Sequence, residues 1–303
     1  MKILIDIDRA LAEGVISAEQ RDRLKAVAGN QTSDLALNIL IGFGIVAVTI
    51  GFIALSGSVT GVLAPGFALA GIGLGMVLRG GQRWRLLGEI MLVVGTALLA
   101  GGLVYLDEGS PRAMLLAAAM FTAGAIVAEN GLMAGAAVIA LSSGLGAATS
   151  YEHARYTLII EEPTETIGVC AILAAGLVAA AASLPVRYER IALIAARTSA
   201  LMVNFAFLVG SLFGDRFRGG ATIPAYAFSV AWAVALVAVA VWAWRENRRW
   251  PLVAATVFGA LHFYTQFFER IGPNAVAIML AGLSTIGVGY ALKKLLATMP
   301  KPA

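Results

Sequence analysis

The chain is poor in the residues from which soluble active sites are made. Charged side chains are 13% of its 303 residues, about half the share of roughly 25% found in ordinary soluble domains. Its one cysteine, Cys170, lies inside an apolar run, so neither an intrachain disulfide nor a multi-cysteine metal site can be built from it. The two histidines, His153 and His262, stand far apart, and no His-Glu-x-x-His run occurs, which argues against a helical zinc site. A Walker A sequence is missing too. Gly42-x-Gly44 lies within an apolar block of helix length rather than after a strand, so it carries no dinucleotide-binding reading. Paired aspartates or a Ser/His pair within apolar segments, as an intramembrane enzyme needs, are also lacking. The chain therefore reads as non-enzymatic, with no cofactor and no metal.

What the chain has in abundance is apolar sequence. Hydrophobic residues make up 59% and the mean hydropathy is +0.85, and the apolar residues come in blocks of membrane-spanning length divided by charged junctions. Ten such blocks can be drawn: 35–55, 59–78, 86–106, 113–128, 131–149, 167–185, 191–213, 224–244, 251–268 and 275–292. This is the pattern of an all-α polytopic transmembrane helix bundle of about ten spans. The fourth block, with 16 residues, is short of the usual span of about 17 to 25. It meets the fifth through Glu129-Asn130-Gly131, so the pair is either a tight transmembrane hairpin or a re-entrant element.

Residues 1–34 are polar, and Ser17-Ala18-Glu19-Gln20 matches a capping box opening a helix that ends near Gly29. With an earlier turn before Gly14, this predicts a short cytoplasmic helical hairpin, followed by the bundle over 35–292 and a cytoplasmic tail over 293–303. Met1 to Asp8 has no apolar core of signal-peptide length. Loop charges set the orientation. With the N-terminus inside, the inner segments hold 16 lysines and arginines and the outer loops hold 5, namely Arg112, Arg155, Arg216, Arg218 and Arg270, while Arg197 lies within a span. Both termini are therefore expected to be cytoplasmic. The basic residues gather at block ends rather than in one patch, so the formal charge of +4 reflects orientation in the bilayer and not nucleic-acid binding. Trp84, Trp244, Trp250, Tyr105 and Tyr188 fall at block ends as interfacial anchors do. Gly71-x-x-x-Gly75, Gly131-x-x-x-Gly135 and Gly210-x-x-x-Gly214 have the spacing that lets helix backbones approach closely.

The hairpin Leu11-Ala12-Glu13-Gly14-Val15-Ile16-Ser17-Ala18-Glu19-Gln20 feeds a first span that begins Leu35-Ala36-Leu37-Asn38-Ile39-Leu40, and a train of short Gly/Ala-rich spans follows. Near the end, Phe258-Gly259-Ala260-Leu261-His262-Phe263-Tyr264 leads to Phe267-Phe268-Glu269 and to Gly282-Leu283 in the last span. In order and texture the chain resembles a bacterial family of predicted membrane proteins known only as the domain of unknown function numbered twenty-one fifty-seven. The resemblance implies a bacterial inner-membrane protein. It implies no activity and carries over no functional residues.

Polar side chains inside spans are the remaining functional clues, because burying Arg, Lys or Asp at a helix centre costs about 2.5–3.5 kcal/mol on translocon scales. Glu89 in the third block and Arg197 in the seventh fall in the inner leaflet and are candidates to pair. Alternatively, Arg197 snorkels to inner headgroups and Glu89 bridges to Arg85 four residues earlier. Arg197, Asn204 and Ser211 fall on one helix face, and Gly259, His262 and Gln266 form an i, i+3, i+7 stripe in the ninth block. Asn204 and His262 come near mid-membrane, where carriers bind cargo and where a histidine can exchange a proton near neutral pH. Interhelical hydrogen bonding is the plainer alternative. The outer loop 151–166 carries Glu152, Glu161, Glu162 and Glu165 and reads as solvated.

Two functions stay open. One is a carrier of a small solute or lipid through an inward-facing polar seam, with Glu89, Arg197, Asn204, His262 and Gln266 as ligand-binding candidates. The other is a membrane scaffold or assembly protein that docks a partner through the N-terminal hairpin.

Overall fold

A computed structural model describes residues 58–152, 155–216, 222–272 and 274–298, together with Val15, Ser17, Glu19, Gln20, Ile41, Gly44, Ala47 and Val48. The chain divides into two compact units, 1–137 and 138–303. Helix dominates both, and six helices among the described residues are long and apolar enough to cross a membrane.

In the N-terminal segment the capping box is in place. Gln20 N donates to Ser17 Oγ at 3.2 Å and Ser17 N donates to Gln20 Oε1 at 2.8 Å, with Glu19 and Gln20 helical. The rest of the expected hairpin, and all of the first block except helical Ile41, Gly44, Ala47 and Val48, lies outside the described residues.

The first unit continues with α1 (Thr60–Arg79), α2 (Gln82–Leu106) and α3 (Pro111–Ala128), and the division between units falls within α4 (Gly131–Gly144). Gly80 and Gly81 turn the chain between α1 and α2, which pack along their length through small residues. Gly66 and Gly73 on α1 face Gly88, Gly95 and Gly102 on α2. A Cβ at Gly73 would come within 2.5 Å of the Leu92 backbone nitrogen, one at Gly95 closer still to the backbone of Ala70, and one at Gly88 within 2.8 Å of Met76 Cβ. The spacing on each helix is seven residues, which holds a stripe on one face with a drift of about 20° per repeat. The expected Gly71-x-x-x-Gly75 contact is not formed: a Cβ at either position would meet nothing within 4 Å.

Ser110 caps α3, its Oγ accepting from Ala113 N at 3.2 Å, with Pro111 at the first helical position. The cap starts the helix two residues before the apolar block, so α3 has 18 residues and the fourth block is long enough to span. Glu129, in the left-handed region at φ 53°, ends α3, and Asn130 Oδ1 accepts from Leu132 N and Met133 N to open α4. The fifth block is the short one. Its helix has 14 residues, about 21 Å against a hydrocarbon core of about 30 Å.

The second unit departs further from expectation. After α4, Gly146 at φ 91° turns the chain into an antiparallel ribbon of β1 (Ala147–Glu152) and β2 (Arg155–Ile160). Part of the fifth block and half of the supposed solvated loop 151–166 are therefore strand, and its last four residues open the next helix. The base of the ribbon, where Ala147 pairs with Ile160, is buried against Ala206 and Val209 of α6 (Val186–Phe213). Between them comes α5 (Pro163–Ala181), whose Cys170 is fully buried with its Sγ 3.4 Å from Ser142 Oγ of α4. A second small ribbon, β3 (Asp215–Arg216) with β4 (Thr222–Ile223), leads to α7 (Ala225–Arg245), α8 (Arg249–Ile271) and α9 (Ala275–Thr298). Helix α9 runs through Lys293 and Lys294, so the expected tail begins inside it. Gly210 faces the Phe228 ring, its Cβ position 2.7 Å from Phe228 Cδ1, as a close-approach residue should, but Gly214 at φ 73° is a turn residue that ends α6.

The six candidate spans are α1, α2, α3, α5, α6 and α7. Helix α8 has 23 residues and is more polar than these. Because α1 and α2 touch backbone to backbone, replacing Gly95 by Ala is expected to lower stability by about 1–3 kcal/mol through overpacking. Gly71→Ala is expected to stay within about 0.5 kcal/mol. Unfolding of the purified protein in detergent checks both, and equal losses would sink the heptad contact.

Candidate functional site

The site is assembled in the second unit by α6, α7 and α8. Their interior is apolar: Trp232, Leu236, Ala255 and Phe258 form a buried cluster, with Phe205, Phe207 and Leu208 packed against it. Trp232 is 1% exposed. An indole N–H so deep needs an acceptor, and Asn204 supplies it, with Trp232 Nε1 donating to Asn204 Oδ1 at 2.9 Å. The Asn204 amide nitrogen in turn donates to Ala200 O at 2.8 Å, one turn back along α6.

His262 of α8 completes the group. Its ring stands edge-on to Trp232, with centroids 4.9 Å apart and planes at 69°, while Phe207 stacks parallel to Trp232 at 6.4 Å. His262 Nδ1 is buried and has no hydrogen-bond partner among the described residues. Asn204 and His262 each sit about nine residues from the end of α6 and of α8 on the same side, roughly 14 Å along each axis. Each of the two touches Trp232, a residue not singled out from the sequence.

The other candidates are placed differently. Glu89 bonds within α2, Arg85 Nε donating to Glu89 Oε1 at 3.2 Å, and Arg85 Nη2 lies 3.7 Å from Glu129 Oε2. Arg197 is exposed rather than inward-facing, and its guanidinium carbon lies 5.4 Å over the ring of Trp250. Glu89 and Arg197 belong to different units, and each has the partner just described within its own. Gln266 lies half-buried one turn beyond His262 on α8. Gly259 lies beside the apolar stripe Leu252, Ala255 and Phe258, which forms the buried face of the helix. No group of three or more His, Cys, Asp or Glu side chains able to hold a metal occurs among the described residues.

Two further residues stand out. Trp232 was legible in principle, because Trp84, Trp244 and Trp250 stand at helix ends while Trp232 falls inside an apolar run. Asp215, at the start of β3, is 1% exposed and accepts from Thr164 N at 3.0 Å through Oδ2, tying β3 to the first turn of α5. A carboxylate at that end of a helix is favoured by the dipole, so Asp215 acts as a tether. Nothing in its local sequence, Phe213-Gly214-Asp215-Arg216, distinguishes it from a loop charge.

Compared with protein-family models, with curated proteins and with solved structures, the chain matches none.

The Trp232–Asn204 bond joins two helices at an indole that is almost wholly buried. Interhelical bonds of this kind average about 0.6 kcal/mol and reach about 1.7. A double-mutant cycle with Asn204→Leu and Trp232→Phe is expected to give a coupling energy in that range, measured by unfolding in detergent. Strictly additive losses would remove the bond from the account of stability.

Proposed function

We propose that the protein is a multi-pass membrane carrier of a small solute or lipid, with its binding seam at Asn204, Trp232 and His262. The observation that carries this reading is the His262 imidazole: a buried ring nitrogen without a partner among the described residues, set against an indole, in the middle of a helix bundle. Buried polar groups are ordinarily hydrogen-bonded, and with α8 taken as one of the ten spans, an ionisable group facing the bundle interior marks a pathway or site by default. A cargo that donates or accepts at Nδ1 would satisfy the ring. Gln266 extends the seam toward the nearer end of α8, and Glu89 and Arg197 stand outside its core. We take the protein to have about ten spans and cytoplasmic termini, as the distribution of lysine and arginine favours, and to reside in a bacterial inner membrane, as the family resemblance implies.

A second reading is a non-transporting scaffold that docks a cytoplasmic partner at its N-terminal helix. It is favoured by Asn204, whose carbonyl and amide are both engaged within the bundle, as they would be in a residue that only holds helices together.

Unfolding of the purified protein in detergent against amino acids, sugars, organic acids, phospholipids and alkali cations separates the two. A ligand at a hundred times its dissociation constant adds about 2.7 kcal/mol. For a carrier, at least one compound is expected to stabilise the wild type and to lose that effect in His262→Ala. A flat response throughout would favour the scaffold, and deletion of residues 1–30 would then be expected to abolish partner capture.

A further inference from the structure

At one end of the second unit, where α6 begins, α7 ends and α8 begins, the chain carries Arg187, Arg190, Arg245, Arg248 and Arg249 against Glu189 and Glu246. Arg197 joins this group from within α6. Its side chain is exposed and has no carboxylate partner among the described residues. In a helix the Cα–Cβ bond leans toward the N-terminus, which on α6 is toward the basic end. Trp250 is the second residue of α8. A guanidinium rooted inside the span is thus delivered to the level at which α8 starts, by snorkelling, and it meets an indole there rather than an acid. A cation held over a ring face uses none of its five N–H donors for that contact, so they remain available to an acceptor.

Arg190 is also exposed and lies seven residues before Arg197, on the same face of α6 and about 10 Å away. In the other direction the surface turns apolar. Leu201, one turn beyond Arg197, is exposed, as are Val253 and Val257, which follow Trp250 on its own face of α8. Planar donors that match phosphate oxygens therefore stand at the head of a strip suited to hydrocarbon. A soluble phosphate compound would use the first feature and not the second.

We infer that Arg197, with Trp250 beneath it and Arg190 on the same ridge, binds the phosphate of an anionic phospholipid whose acyl chains lie along Leu201, Val253 and Val257. The inference rests on the chain lying in a bilayer and is independent of any cargo at His262. Basic sites between helices on the cytoplasmic side are suited to such headgroups.

The test is unfolding of the full chain in a neutral detergent with added phosphatidylglycerol, phosphatidylcholine or inorganic phosphate, for the wild type, Arg197→Ala and Arg112→Ala. Arg197 is exposed, so its removal leaves the core intact. Phosphatidylglycerol is expected to raise the midpoint of the wild type and of Arg112→Ala above that in phosphatidylcholine. In Arg197→Ala the half-saturating lipid concentration should rise about tenfold, the loss of one charge-assisted contact. Equal effects of the two lipids, an unchanged response in Arg197→Ala, or an inorganic phosphate effect as large as that of the anionic lipid would overturn the site.

Discussion

In a bundle surrounded by hydrocarbon, lipid tails are as apolar as the side chains, so helices gain little by hiding apolar surface from water. They must associate through close packing and through the few polar groups that cannot be left alone. Both devices are present, one in each unit. Between α1 and α2 the packing is backbone against backbone, with glycine at every seventh position. The α6, α7 and α8 group packs through larger side chains, Phe205, Trp232 and Phe258, and one indole–amide bond fixes the register of α6 against α7. A methyl added at Gly95 strikes backbone, which cannot rotate away. A change at Phe205 or Phe258 would meet side chains with rotamers to offer. The first interface is consequently less tolerant of substitution than the second.

The helices were largely legible from composition, since apolar blocks end where charged and capping residues begin. Ser17 with Gln20 shows how far local chemistry carries, because the capping pattern read from spacing is present as two reciprocal bonds. Ser110-Pro111 and Asn130 carried the same kind of signal, and they explain why α3 is longer and α4 more sharply started than hydropathy indicates. Hydropathy misled in 147–160, where it registers Ala147 and Ala148 as helix and the acidic residues beyond as loop. The neighbouring Tyr156-Thr157-Leu158-Ile159-Ile160 is rich in the β-branched and aromatic residues that favour strands, and Gly144 and Gly146 before it interrupt the helix. Glycine spacing misled for a different reason. In a chain with 34 glycines, i, i+4 pairs arise by chance, and the informative pattern is a repeat shared by two consecutive helices across a turn.

The polar residues divide by what a long side chain can reach. Arg197 was placed by its backbone position, which puts it within a span, but a guanidinium ends several bonds away from its Cα and its direction is set by the helix. Pointing toward the start of α6, it lands beside Trp250 rather than in the interior. Asn204 and His262 are short, so backbone position and side-chain position agree, and each touches Trp232. Reach, not charge, separates Arg197 from these two.

The same distinction bears on what the seam can do. Asn204 has both halves of its amide committed, and Trp232 has donated its only proton. The Asn204 amide keeps one N–H and one lone pair, while the imidazole has a ring nitrogen, Nδ1, that is buried and wholly unpartnered among the described residues. A neutral imidazole offers one donor and one acceptor, and only its tautomer decides which nitrogen plays which part. The seam can thus present either a donor or an acceptor at Nδ1 without moving a helix, while Asn204 and Trp232 hold the wall against which it acts. A rigid wall with one adaptable polar atom discriminates by shape first and hydrogen bonding second. For the carrier proposed above, that ordering would favour a small, largely apolar cargo with a single polar group over a sugar with its many hydroxyls.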